Sequence, residues 1–283
     1  MTQARRPLGG VSVRLRGLAR RAAYALLDVH AWVAGPSASP PRWLPLVGSG
    51  DFESIGRRYL GYFIEIGGLR PTAHVLDIGC GLGRMATPLT TYLEPSKGRY
   101  VGFDVDARAV RWCRRRIGRR HANFEFHVAD VRNVAYHRGG ALDGATYPFP
   151  YEDATFDFAI ATSVFTHLVP EAARNYLREI GRVLRPEGRA FLTFFLLNAE
   201  SIAGLDRGRS RFDFAHDVGT HRVLDPAVPE AAVALPEDDV LTWLREAGLD
   251  VEPPIRYGGW SGRRKMLTGQ DVVVAVRTID EGT

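Results

Sequence analysis

Cysteine is scarce in this chain of 283 residues: Cys80 and Cys113 are the only two. Two thiols make no disulfide framework, and neither has metal-ligand spacing. Long apolar runs are also missing. Hydrophobic residues make up 45% of the chain, yet no uncharged run reaches the roughly 18 residues that a membrane-spanning helix needs. No low-complexity tract, short-period repeat or zinc-finger spacing occurs. A secretory leader is not expected, because Arg20, Arg21 and Asp28 interrupt the first apolar stretch and no convincing small-residue cleavage site follows. With so few thiols the expected compartment is a reducing cytoplasm.

Acidic residues are almost absent from the first 50 positions, where seven arginines face Asp28 alone. The basic balance of the chain therefore belongs to this arm. Val11, Leu15, Leu18, Ala22 and Leu26 recur at helical spacing with Arg14, Arg20 and Arg21 on other faces, the pattern of a basic amphipathic helix. Such a helix can cap a domain, form a dimer contact, bind nucleic acid or lie on an anionic membrane, so peripheral membrane contact through residues 1–33 is possible. Gly35-Pro-Ser-Ala-Ser-Pro-Pro41 then reads as an extended linker. This gives an arm over 1–50 and a core domain over 51–283.

The core holds the informative motif. Residues 75–84 read Val-Leu-Asp-Ile-Gly-Cys-Gly-Leu-Gly-Arg. Val75, Leu76 and Ile78 fit a strand covered on both faces. Gly79, Gly81 and Gly83 permit a sharp turn and let a ligand reach the backbone. The G-x-G-x-G spacing differs from the dinucleotide G-x-G-x-x-G, and a glycine turn alone is weak evidence. Asp77 is more telling: its carboxylate would repel a pyrophosphate but suits a ligand carrying an ammonium and a sulfonium. Arg99–Asp104 reads as a second strand ending in an acid, where a carboxylate can accept both hydroxyls of a ribose. A third strand, Phe124–Val128, leads to Asp130 and Val131, placed to meet an adenine amino group and ring. A fourth, Phe156–Thr162, leads to Ser163-Val-Phe-Thr-His-Leu168. Four strand ends thus converge on one crevice.

On these motifs, with Leu177-Arg-Glu-Ile-Gly-Arg-Val-Leu-Arg-Pro-Glu-Gly188, the chain resembles the class I S-adenosylmethionine-dependent methyltransferases, nearest to bacterial small-molecule enzymes of the type 11/12 group. The likeness covers roughly Phe52 to Arg277. It implies an α/β, Rossmann-like, doubly wound sheet of seven strands, mostly parallel with an antiparallel last strand, plus a substrate lid over about 198–236. The cofactor it implies is S-adenosyl-L-methionine. The binding set it implies is Asp77, Gly79, Cys80, Gly81, Arg84, Asp104, Val105, Asp130, Val131, Ser163 and Val164. Asp77, Gly79 and Gly81 would line the methionine part, Asp104 the ribose, and Asp130 with Val131 the adenine. One departure is Glu187, where the family often has glycine.

The remaining pattern agrees with that fold. Ile55, Tyr59, Tyr62, Phe63 and Ile66 share one side of a helix over 52–66, which in the family covers the cofactor. Seven arginines between Arg108 and Arg120 follow the second strand; without interleaved aromatics they read as a solvated helix rather than a nucleic-acid surface. Arg132–Asp153 is expected as an irregular loop near the ligand. Pro170 opens a helix, Ala190–Leu196 forms the fifth strand, Asp238–Ala247 the last helix, Val251–Tyr257 the sixth strand and Val272–Val276 the seventh.

Acid or base groups near the crevice are His167, Glu200, Asp213, His216, Asp217 and His221. His167 is the strongest because it follows the fourth strand. His216 and His221 are further catalytic candidates, and their spacing does not suit a metal pair; no metal is expected. Tyr257, Trp260, Arg263 and Arg264 can shape an acceptor pocket or simply pack. A hydroxyl acceptor needs a base, whereas an amine needs only to arrive neutral. The expected activity is therefore methyl transfer to a small molecule, most readily a hydroxyl of a sugar, natural product or lipid-linked intermediate. A nucleic-acid methyltransferase fits less well, since Thr162-Ser-Val-Phe165 replaces the Asn-Pro-Pro-Tyr type of loop. An NAD-type reductase shares the glycine turn, but Asp77 argues against it. A non-catalytic binding protein is the third alternative.

Overall fold

The computed structural model describes residues 51–278. The arm and linker expected over 1–50, and with them the membrane contact considered for 1–33, lie outside the described residues. In chain order the elements are α1 (Phe52–Glu65), β1 (His74–Ile78), α2 (Ala86–Tyr92), β2 (Arg99–Asp104), α3 (Ala107–Cys113), β3 (Phe124–Val128), β4 (Phe156–Ala161), α4 (Pro170–Val183) and β5 (Leu184–Phe194). They continue with β6 (Leu196–Leu197), α5 (Ala199–Asp206), β7 (His216–Asp217), β8 (Arg222–Val223), β9 (Val233–Pro236), α6 (Glu237–Glu246), β10 (Leu249–Val251) and β11 (Asp271–Arg277). No helix among the described residues is long and apolar enough to cross a membrane.

Seven strands form one sheet in the order β10-β11-β5-β4-β1-β2-β3. Neighbours from β3 to β5 pair in parallel, and β11 runs antiparallel to both β5 and β10. The doubly wound sheet with an antiparallel last strand is therefore as the sequence predicts. Its strand order reverses direction between β1 and β4, the position at whose C-terminal ends open α/β sheets bind ligands. The central strands are mostly apolar because both faces are covered: Val75, Leu76, Ala159 and Ile160 are fully buried. On one face Phe63 of α1 packs edge-on against Phe158 and Phe191.

The other face carries a substitute for a helix. Residues 132–153 contain none, and the segment instead buries Tyr147 and Phe149 against Phe103 and Tyr176. Burial of each ring contributes roughly 1.5–3 kcal/mol, which is how an irregular segment can close a sheet face. Arg182 pins it, donating to the carbonyls of Phe149 (2.9 Å) and Tyr151 (2.8 Å) while paired with the buried Glu179.

Three local differences from expectation have physical causes. The sixth strand lies at Leu249–Val251 rather than Val251–Tyr257, because Pro253 and Pro254 follow and have no N–H to donate; pairing resumes where Arg256 meets Val272. The fifth strand begins at Leu184 and is interrupted by a register shift through Arg185-Pro-Glu-Gly188, where Glu187 takes a φ of 64°. The arginine-rich helix after β2 ends in a π-turn, Arg114–Gly118.

The segment expected as a lid, 198–236, contains α5 and most of a second, four-stranded sheet, β6-β9-β8-β7. Phe195, Phe214, Ala234 and Trp260 form its own small core. Asp271 of β11 ties it to the main sheet. This fully buried carboxylate accepts from Leu196 N–H (2.7 Å), Gly258 N–H (2.6 Å) and Trp260 Nε1–H (2.7 Å).

Candidate active site

The crevice starts at the end of β1. Asp77 is 1% exposed, and its Oδ2 accepts from the Tyr100 hydroxyl at 2.5 Å. Its Oδ1 is buried and has no hydrogen-bond partner among the described residues. Burial pushes the Asp77 carboxyl up to about 7, the Tyr100 hydroxyl pulls it down, and nearby Asp104 adds repulsion. The chain then turns. Gly79 and Cys80 both donate to the Phe103 carbonyl, at 2.8 and 3.0 Å. A Cβ on Gly79, where φ is 70°, would lie 2.6 Å from the Val164 side chain, so only glycine lets the β1 and β4 exits approach. A Cβ on Gly81, where φ is 52°, would meet nothing within 4 Å. One glycine closes the turn and the other leaves it open.

Asp104, at the end of β2, holds that turn from the side: Oδ2 accepts from Gly81 N–H (2.7 Å) and Oδ1 from Asp106 N–H (2.8 Å). Burial raises its pKa and these N–H groups oppose the rise. Val105 follows, half-buried. Cys80 is buried and its thiol is pushed well up by burial, which leaves it inert. Arg84 is partly buried, with its guanidinium pKa lowered by burial and raised by Tyr59 of α1. Asp130 is exposed and pairs with His137 Nε2 at 2.8 Å, while Val131 beside it is buried.

The exit of β4 is strained. Ser163 has φ 58° and is held there by its N–H on Thr193 Oγ1 (2.8 Å) and its hydroxyl on Gln270 Oε1 (3.1 Å). A non-glycine residue in this region costs on the order of 1–3 kcal/mol and persists where surrounding contacts hold it, often at functional sites. The chain then makes a short 3₁₀ turn, Phe165–His167, anchored by Phe165 stacked on Phe194. His167 Nδ1 lies 2.9 Å from the Glu230 carbonyl and Nε2 lies 3.3 Å from the Tyr136 hydroxyl. A carbonyl only accepts, so the ring proton sits on Nδ1 and Nε2 keeps its lone pair. Burial lowers the His167 pKa, opposed by the backbone groups of Glu230 and Ala231. The ring is neutral at neutral pH and basic at Nε2.

The structure thus gathers Asp77, Gly79, Gly81 and Asp104 around one turn, with Ser163 and Val164 at the adjoining strand end. His216 and His221 stand apart, on and beside the β7–β8 hairpin. His216 is exposed. Burial lowers the pKa of His221, and Glu171 and Asp217 oppose the fall; its Nδ1 lies 3.0 Å from the Thr220 hydroxyl. Neither shows a hydrogen bond or ring contact to His167. Among the described residues no group of three or more His, Cys, Asp or Glu is placed to hold a metal ion. Sequence reasoning missed Tyr100, Tyr136, Thr193, Glu230 and Gln270. Only Tyr100 left a trace, as a polar-tipped residue inside an otherwise apolar strand.

Residues 75–188 match the family model described as a methyltransferase domain. Residues 75–188 therefore form a methyltransferase domain. The matched span runs from the first residue of the glycine motif to the end of the Arg185–Gly188 turn, so it contains every cofactor-binding candidate. The chain is 33% identical over 185 residues to the 27-O-demethylrifamycin SV methyltransferase of Amycolatopsis mediterranei, covering 65% of this chain and 56% of that relative. It therefore spans little more than half of that relative's length. Among solved structures, a protein from Pyrococcus horikoshii aligns with TM-score 0.56 at 19% identity, over 82% of this chain and 93% of the other. The 1,6-didemethyltoxoflavin-N1-methyltransferase of Burkholderia thailandensis aligns with TM-score 0.51 at 18% identity, over 98% and 94%. Both likenesses concern the fold. S-adenosyl-L-methionine is the cofactor such domains use, and two features here suit it: a buried Asp77 carboxylate oxygen without a partner among the described residues, and open space over Gly81.

Proposed function

We propose that this methyltransferase transfers a methyl group to a hydroxyl of a small molecule such as a natural product, a sugar or a lipid-linked intermediate. S-adenosylmethionine supplies the methyl on a positively charged sulfur, and transfer is an in-line displacement that leaves S-adenosylhomocysteine. Asp77 meets the ammonium group through Oδ1, the Gly79–Gly81 turn backs the methionine part, Asp104 accepts from the ribose and Asp130 with Val131 holds the adenine. Orientation in this crevice supplies most of the rate enhancement. His167 takes the hydroxyl proton at Nε2 as the acceptor oxygen bonds to the methyl carbon.

The observation that carries the hydroxyl reading is the fixed tautomer of His167. With Nδ1 committed to the Glu230 carbonyl at 2.9 Å, the ring keeps its lone pair on Nε2, which meets only the Tyr136 hydroxyl, at 3.3 Å. An amine acceptor would need no such group. The relative from Amycolatopsis mediterranei, whose name places its methyl group on an oxygen, supports the same reading.

Calorimetric titration with S-adenosylmethionine and S-adenosylhomocysteine tests it, with NADH as control. Both should bind, and Asp104→Ala should weaken them about 10–100-fold, the range for a hydrogen bond to a charged group. Binding of NADH alone would replace the reading with a reductase. Acceptor screens should then show methyl transfer that His167→Gln reduces by about 10²-fold or more.

A further inference from the structure

The base at the crevice already has a hydroxyl on it. We propose that Tyr136 is a gate on His167: its phenol holds Nε2 until an acceptor with an aromatic hydroxyl takes the same place. The proposal rests on the methyl-transfer reading above and names its acceptor class.

Tyr136 approaches His167 edge-on, with ring centroids 5.1 Å apart and an interplanar angle of 87°. The oxygen-to-nitrogen distance of 3.3 Å is long for an O–H donor, which marks a contact that is easily surrendered. Tyr136 is 43% exposed, so its ring can rotate into solvent without opening a core. Its backbone cannot follow. Asn133 Oδ1 accepts from both Ala135 and Tyr136 N–H, Asn133 Nδ2 donates to the His167 carbonyl, and Val134 N–H meets the Glu230 carboxylate. The loop after β3, the turn after β4 and the 229–231 turn are thus fastened together around the imidazole. The pivot is fixed and only the side chain moves.

The chemistry selects the acceptor. The groups facing His167 are the Tyr136 hydroxyl, the Asn133 amide and the Glu230 carbonyl, with the Glu230 carboxylate engaged on Val134 and Asp104 felt by Tyr136. None is a cation or a free carboxylate that would strengthen the base. The place is already fitted to a phenol, since the Tyr136 ring meets the imidazole edge-on with its hydroxyl on Nε2, and a phenol, with an ordinary pKa of about 10, yields its proton to a neutral imidazole more readily than an alcohol does. In the step, the phenol proton passes to Nε2, its oxygen bonds to the methyl carbon, and the sulfur–carbon bond breaks with its electron pair left on sulfur. The products are an aryl methyl ether, S-adenosylhomocysteine and a protonated His167.

The test uses full-length protein labelled with ¹⁵N-histidine, both alone and saturated with S-adenosylhomocysteine, with the His167 resonances assigned by their loss in His167→Gln. Tyr136→Phe removes a donor to neutral imidazole, so the His167 titration midpoint should rise by about half a pH unit. p-Cresol should reach half-saturation of the Nε2 shift at about 3–10-fold lower concentration in Tyr136→Phe than in the unaltered protein, the range for losing one competing hydrogen bond. Cyclohexanol should show the weaker response in both. An unmoved midpoint, or p-cresol binding that is equal or weaker in the variant, overturns the gate. Failure to bind S-adenosylhomocysteine would strike the methyl-transfer reading instead, since the titration midpoint is read without it as well.

Discussion

A carboxylate that is 1% exposed, with one oxygen on a phenol and the other without a partner among the described residues, is held up to about 7. The folded state of the protein therefore binds a proton at Asp77 that the unfolded chain, near 3.8, releases. The sign follows: this stabilising contribution is complete below about pH 4, declines as pH rises toward 7, and is absent above. Asp77→Asn should remove that slope. Chemical denaturation at pH 5 and pH 8 should show the unaltered protein losing stability between them relative to the variant, by a few kcal/mol at the order-of-magnitude level. Equal slopes would mean that Asp77 titrates normally. The same substitution should weaken S-adenosylmethionine binding, because an amide cannot neutralise an ammonium.

At the scale of elements, Glu187 is where local geometry and sequence conflict. The turn that joins α4 to the paired part of β5 places it at φ 64°, a left-handed conformation that costs a non-glycine residue about 1–2 kcal/mol. Gly188 beside it cannot be exchanged, because a Cβ there would lie 2.7 Å from the Arg185 carbonyl. Glu187→Gly should raise stability by about 0.5–1 kcal/mol in a denaturant titration, the relief being partly offset by the added freedom of the unfolded chain. A loss of stability would show that the exposed carboxylate matters more than the backbone. The elements most legible in the sequence were those with continuous apolar runs: β1 to β4 lie where Val75, Val101, Phe126 and Phe158 place them. The second sheet was not legible. Its strands β6, β7 and β8 have two residues each, too short for any period, and only pairing defines them, β6 and β8 with β9 and β7 with β8. The site divides the same way. Asp77, Gly79, Gly81 and Asp104 fall within one strand–turn–strand unit and were visible as a motif, whereas the partners of His167 lie 31 residues before it and 63 after it.

For the molecule as a whole, the crevice joins segments that are far apart in sequence: the turn after β1, the ends of β2 and β3, and the strained exit of β4. A ligand that touches all of them binds the folded state and not the unfolded chain, and so stabilises it by mass action. At a free concentration one hundred times its Kd, the gain is about 2.7 kcal/mol, which for a chain of this size corresponds to about 5–10 °C in melting temperature. S-adenosylmethionine should produce that shift in a scanning melt. The shift should also depend on pH. An ammonium group meeting Asp77 favours the ionised carboxylate, so binding expels the proton that the empty crevice holds near neutral pH. Affinity then rises with pH up to about 7 and levels off, and the stabilisation at a fixed ligand concentration should be larger at pH 8 than at pH 6. In Asp77→Asn the two values should converge. A pH-independent shift in the unaltered protein would mean that the ammonium is held elsewhere, and that the buried carboxylate serves the turn rather than the ligand.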